Sequence, residues 1–142
     1  MLSFLLPILL LRGLGPVAPA PVAVTVVVTA LASPQSAVKL NFYNVPSGFL
    51  QEKGEAMQLV VRPSGKTTIT VPVELAPGEW AVALTQDMNN NDLLDKNFLG
   101  IPTEPYAFSN NVRPRFAAPK FEECKFTVNE PGLVVNIALK EK

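Results

Sequence analysis

The chain has 142 residues, about one domain's worth, and 48% hydrophobic content against 17% charged side chains is enough for a packed core. Twelve basic and twelve acidic side chains cancel to a formal net charge of zero, so no long-range field draws it onto nucleic acid or an anionic membrane. With no histidine and one cysteine, Cys124, it lacks the commonest general base, an internal disulfide and a cysteine-cluster zinc site, and most enzyme mechanisms lose their key group.

At the N-terminus, Leu2 to Leu11 is a ten-residue apolar run interrupted by Pro7, the length of a signal-peptide core and too short to span a bilayer. The expectation is an exported protein, periplasmic or extracellular, with residues 1–21 as leader and 22–142 as the folded domain. Ala18-Pro19-Ala20 resembles a cleavage site, and so does Ala30-Leu31-Ala32. Cutting at the second would delete the stretch Val22 to Leu31, which reads as a strand, so processing is placed around residues 20 to 23. An uncleaved leader would be the chain's one route to a membrane.

Beyond the leader, β-branched residues alternate with polar ones between Pro, Gly, Asn and Ser. Seven strands are expected: Val22–Leu31, Ala37–Val45, Glu55–Arg62, Thr68–Leu75, Glu79–Asp87, Phe121–Val128 and Leu133–Leu139. In the fourth, Ile69, Val71, Val73 and Leu75 share one face while Thr68, Thr70, Pro72 and Glu74 share the other, so it is buried on one side only. Pro72 cannot donate to a ladder and marks an edge or a bulge. Arg62-Pro63-Ser64-Gly65-Lys66 and Asn129-Glu130-Pro131-Gly132 have the chemistry of hairpin links, which predicts antiparallel neighbours and hence an all-β, seven-stranded antiparallel sandwich. No helix is evident. Trp80, Val82 and Leu84 fall on one face and are expected in the core. Cys124 shares a face with Phe126 and Val128 and is expected to be a small buried hydrophobe.

The fifth strand runs into Asp87-Met-Asn-Asn-Asn-Asp-Leu-Leu-Asp95. Asp87, Asn89, Asn91, the carbonyl of Leu93 and Asp95 sit where alternate ligands of a calcium loop sit, at its first, third, fifth, seventh and ninth positions. Asp92 replaces the glycine of the sharp turn. Phe98 replaces the bidentate glutamate, so a further ligand must come from Glu104, Glu122, Glu123 or water, and the affinity expected is weak, about 10⁻⁴ to 10⁻³ M. The other reading is an Asx-turn loop whose side-chain oxygens accept from nearby backbone amides with no ion present.

The connection from Met88 to Lys120 is long for a compact domain, yet Phe98, Leu99, Ile101, Tyr106, Phe108 and Phe116 make it too apolar for a disordered segment, and Pro102, Pro105, Pro114 and Pro119 stiffen it. Its aromatics are expected to plug the open end of the sandwich. The alternative is a ligand surface in which Tyr106 and Phe108 stack on a sugar or peptide, with Asn110, Asn111, Arg113 and Arg115 at the rim.

Asp87-x-Asn-x-Asn-x-x-Leu-Asp95-x-Asn-Phe-Leu-Gly-Ile-Pro102-x-Glu104-Pro-Tyr106-x-Phe-Ser-Asn-Asn111, with Arg113 and Phe121-Glu122, resembles the uncharacterised exported bacterial family called domain of unknown function 2141. The likeness extends through Phe42-Tyr43-Asn44 and Pro77-Gly78-x-Trp80, over about residues 24 to 139. The family's Asp-x-Asn-x-Asn-Gly reads Asn91-Asp92 here, and its Tyr-Gly-Phe reads Tyr106-Ala107-Phe108. The resemblance implies a secreted β-sandwich of the transthyretin or carboxypeptidase-regulatory kind and no established activity.

These residues point to a non-catalytic exported module whose long loop, organised by structural Ca²⁺, meets an unidentified protein, peptide or glycan. The alternative is a carbohydrate- or peptide-binding module using the loop aromatics. The only catalytic chemistry open is a carboxylate pair, Glu104 with Glu122 or Asp95, and surface carboxylates explain those residues more simply. Lys140-Glu141-Lys142 reads as a solvated end.

Overall fold

Among the described residues eight strands form, in chain order: β1 (Val22–Thr29), β2 (Val38–Tyr43), β3 (Met57–Val61), β4 (Ile69–Leu75), β5 (Gly78–Gln86), β6 (Tyr106–Phe108), β7 (Phe126–Val128) and β8 (Leu133–Ala138). A one-turn α-helix, α1 (Phe121–Cys124), precedes β7. The computed structural model describes residues 13–16, 18–96 and 102–139; the Leu2–Leu11 leader run, Phe98, Leu99, Ile101 and Lys140–Lys142 lie outside them.

One sheet has the order β4-β1-β8, and the other runs β3-β2-β5-β6 with β7 also on β5. Val24, Val26 and Val28 of β1, the odd positions of β4 and Val135 and Ile137 of β8 meet Val38, Leu40, Phe42, Val82 and Leu84 of the facing sheet in one buried cluster. The alternation expected of β4 is observed in full, and Pro72 is accommodated because β4 is an edge strand. Trp80 joins this core, with its indole N–H donating to the Ala76 carbonyl at 2.8 Å.

The pairing departs from the expected antiparallel sandwich in three ways. First, β1 and β8 pair in parallel, Val24 opposite Leu133 through Thr29 opposite Ala138, which brings the two ends of the domain side by side. Second, neither turn-rich link is a hairpin. Arg62–Lys66 joins β3 of one sheet to β4 of the other, and Asn129–Gly132 takes the chain from β7 to β8 across the same gap. Their turn residues reverse the chain, but the faces to be buried decide which strand it then meets.

Third, the strand expected over Phe121–Val128 begins with α1. Pro119 comes just before it, Glu122 and Glu123 occupy its first turn, and the Lys120 amide donates to Glu123 Oε2 at 2.7 Å. Cys124 is buried as expected, but by this turn and not by strand alternation.

A second apolar cluster covers the outer face of the five-stranded sheet: Tyr43, Phe49, Ala81, Ala83, Phe108, Phe121 and Cys124. Phe49 packs edge-on against Tyr43, Phe108 and Phe121, with centroids 5.2, 6.5 and 5.9 Å away. Tyr106 and Phe108 therefore cover a sheet face and do not plug the sandwich's open end. The loop carrying Phe49 closes where Gly48 and Gly54 touch backbone to backbone, and a Cβ on Gly54 would fall on the Gly48 carbonyl oxygen. β5 is buried on both faces from Trp80 to Leu84, and the candidate loop leaves from its end.

Candidate functional site

Gln86, the last residue of β5, is completely buried with both ends of its amide satisfied. Oε1 accepts from the Ala32 and Ser33 amides at 2.9 and 3.2 Å, and Nε2 donates to the Ser33 and Ser36 carbonyls at 2.7 and 3.0 Å. This clamps the β1–β2 connection to the strand end, and the Asp87 amide adds a bond to the Ala37 carbonyl at 2.9 Å. The loop thus starts from a fixed point. A polar residue closing the apolar run Ala81–Leu84 was the sequence signal for Gln86, and strand periodicity alone passes over it.

Asp87 is buried, and its oxygens accept from the Asn91 and Asp92 amides at 3.3 and 2.8 Å. Asn89 Oδ1 accepts from the Asn91 amide and Asn91 Oδ1 from the Leu93 amide, at 3.3 and 3.0 Å. These are Asx turns. Asn90 and Asp92 adopt left-handed φ of 53° and 64°, so Asp92 makes the turn that glycine would make more cheaply. Lys39 holds the crest from outside, donating to the Asp92 carbonyl at 3.2 Å with its carboxylate 3.6 Å away.

Asp95 closes the ring of oxygens. Asn89 Nδ2 donates to it at 2.6 Å, and Asn91 Nδ2 lies 2.8 and 3.1 Å from its two oxygens. Buried Glu104 spans the base, accepting from the Met88 amide at 3.1 Å and the Asp95 amide at 3.4 Å, so one carboxylate ties both limbs of the loop. The Thr103 amide and hydroxyl both donate to the Asp95 carbonyl, at 2.8 and 3.0 Å. Burial raises the Glu104 pKa, and the negative charges of Asp87 and Asp95 raise it further against those amide bonds.

The structure therefore gathers Asp87, Asn89, Asn91, Asp95 and Glu104, and leaves the Leu93 side chain exposed at the crest. Glu122 and Glu123 belong elsewhere: Glu122 pairs with Lys125 at 2.7 Å, and Glu123 caps α1. Among the described residues no group of three or more Asp, Glu, Cys or His side chains is arranged to hold a metal ion. The Asx-turn hydrogen bonds are the ones present.

The residues of the expected ligand surface have these surroundings. Phe108 is 8% exposed and Tyr106 only half-buried, their rings edge-to-face at 5.8 Å. Asn110 donates to the Glu123 and Lys125 carbonyls at 3.1 and 2.8 Å. Asn111 accepts from the Ala138 amide at 2.9 Å and Arg113 donates to the Ala138 carbonyl at 2.9 Å, so both guard the free edge of β8. Asn110 and Asn111 carry φ of 61° and 51°, which suits asparagine. These three side chains fasten the long connection to the sandwich.

Ser109, fully buried, completes the fastening. Its hydroxyl accepts from the Val82 amide at 2.9 Å and donates to the Cys124 carbonyl at 2.6 Å, filling the gap between β6 and β7 along β5. Burial, with Glu123 nearby, pushes the Cys124 thiol up to about 11, so it is protonated and inert at neutral pH.

Fold and site together define an all-β, two-sheet module with a pinned, oxygen-rich loop at the end of its central strand. The chain belongs to the bacterial family described as uncharacterized protein conserved in bacteria, domain of unknown function 2141, which matches residues 26–136. That span reaches from inside β1 to inside β8 and includes the whole loop. No curated protein and no solved structure matches the chain.

Proposed function

We propose that this protein is a non-catalytic exported module whose Asp87–Asp95 loop is an interaction surface, organised by weakly bound Ca²⁺. The observation that carries the reading is a contrast within the loop. Its base is locked by Gln86, Asp87 and Glu104, while Met88, Leu93 and Leu94 are held out in solvent, 43, 67 and 42% exposed. An ordered backbone presenting apolar side chains to water favours a protein or peptide partner. The glycan alternative keeps half-exposed Tyr106 and exposed Arg115, since Phe108 is buried and Asn110, Asn111 and Arg113 have internal partners.

Support for the cation comes from electrostatics alone. Asp87 and Asp95 put negative charge near Glu104, and among the described residues no Lys or Arg forms an ion pair with any of the three. The amide groups of Asn89 and Asn91 present N–H to Asp95, and turning their oxygens toward an ion would cost the Asx-turn bonds those oxygens accept from the Asn91 and Leu93 amides. Export rests on the leader-like run Leu2–Leu11. Processing around residues 20 to 23 keeps β1, which pairs with both β4 and β8; a cut after Ala32 would remove it.

The test is thermal melting of the purified domain with and without excess Ca²⁺, repeated with Asp87→Ala and Asp95→Ala. Binding at 100 times the dissociation constant stabilises by about 2.7 kcal/mol, a rise of several degrees, and both variants should abolish it. An unchanged melting temperature in the wild type removes the calcium. For the surface, Leu93→Ser with Leu94→Ser should leave melting unchanged and abolish partner capture; capture that persists refutes the assignment.

A further inference from the structure

On the outer face of the five-stranded sheet lies a concavity of about 480 Å³, bounded by β2, β5 and β6, by Leu94, Lys96 and Pro102 on one side and by Pro114 to Pro119 on the other. That volume is in the range of small-molecule sites. Its floor is the apolar outer cluster, and Tyr43, Tyr106 and Phe116 present ring surface to it. Phe116 is 100% exposed, a large ring kept in water beside an apolar hollow.

The charge on its wall is one-sided. Lys96 and Arg115 line the hollow, no Asp or Glu does, and neither cation has an acidic partner among the described residues. In a chain whose charges cancel overall, this is a local excess of two positive charges beside an apolar floor. Thr85 and the two tyrosines add hydroxyl groups.

We propose that this groove binds a small amphipathic anion, a medium-chain or aryl carboxylate. Lys96 and Arg115 hold the carboxylate, and Tyr43, Tyr106 and Phe116 cover the apolar body. A guanidinium and an ammonium give charge-assisted hydrogen bonds to a carboxylate, and the rings supply the burial that a neutral polar ligand would not repay. A sugar suits the floor poorly, because its hydroxyls would face Ala83, Leu50 and Pro102 with few partners. The proposal is independent of calcium at the neighbouring loop.

Isothermal titration of the full chain with decanoate, decanol and decyltrimethylammonium tests it. Decanoate should bind saturably at one site, more tightly than the other two, with affinity falling as salt rises. Arg115→Glu and Lys96→Glu should each weaken decanoate by about tenfold and leave decanol unchanged. Arg115 and Lys96 are exposed, so both variants should melt like the wild type. Phe116→Ala should weaken decanoate and decanol alike. No saturable decanoate binding, equal affinity for decanol, or uptake that survives both charge reversals overturns the proposal.

Discussion

Replacing Ser109 by alanine tests whether one buried hydroxyl holds the long connection to the sandwich. The change deletes a single oxygen and leaves Cβ in place, so shape is nearly conserved, but the Val82 amide and the Cys124 carbonyl both lose their partner. Val82, Ser109 and Cys124 are all 0% exposed, which keeps water from replacing the hydroxyl. Each buried backbone group left unsatisfied costs about 1–3 kcal/mol, and removing the hydroxyl recovers part of its own desolvation, so the net loss should be about 2–4 kcal/mol. Against a total stability of about 5–15 kcal/mol this is severe. At about 3 °C per kcal/mol for a chain of this size, the melting temperature should fall by about 6–12 °C. Urea unfolding should show the midpoint shifted with its slope unchanged. A loss below about 0.5 kcal/mol would mean that water reaches the gap between β6 and β7, and the fastening role would be wrong.

The remaining expectations concern the loop carboxylate, the thiol and the left-handed asparagine. Glu104 has a raised pKa, so the folded state holds its proton more tightly; without metal its contribution to stability is best below the unfolded carboxylate range and declines as pH rises through the folded value. Ca²⁺ competes with that proton, so the melting gain it gives should grow across the same interval and vanish at acid pH. A gain of equal size at pH 4 and pH 7 would place any bound ion away from Glu104. Cys124 should resist a disulfide exchange reagent at pH 8 until denaturant is added, and its contribution to stability should decline as pH rises from about 9 to about 11. Rapid native-state labelling would contradict its burial. Asn110→Ala should cost about 1–2 kcal/mol, for strain at φ 61° and two lost hydrogen bonds, whereas Asn110→Gly should recover the strain part only. Equal losses for the two would remove backbone strain from the account.

What the sequence by itself determined was local. Alternation set the faces of β4, placed Trp80, Val82 and Leu84 in the core, and located most strands to within a few residues, because side-chain direction has period two whatever a strand pairs with. The run from Asp87 to Asp95 was legible as a turn of Asp and Asn oxygens for the same reason, since Asx turns close over two to five residues. Its closing ligand was less legible: Glu104 is the candidate taken from the sequence, but Glu122, Glu123 and water fit the spacing too, and it is the fold that brings Glu104 alone of the three to the loop base. Chain reversals at Ser64-Gly65 and Pro131-Gly132 were visible, but whether they made hairpins depended on which buried faces met across the sandwich. Only tertiary structure joined β1 to β8 in parallel, turned Phe121–Cys124 into a helical turn, and spent Asn110, Asn111 and Arg113 on carbonyls and amides up to 27 residues away. Backbone groups must be satisfied wherever burial leaves them, and no local pattern records which distant side chain will do it.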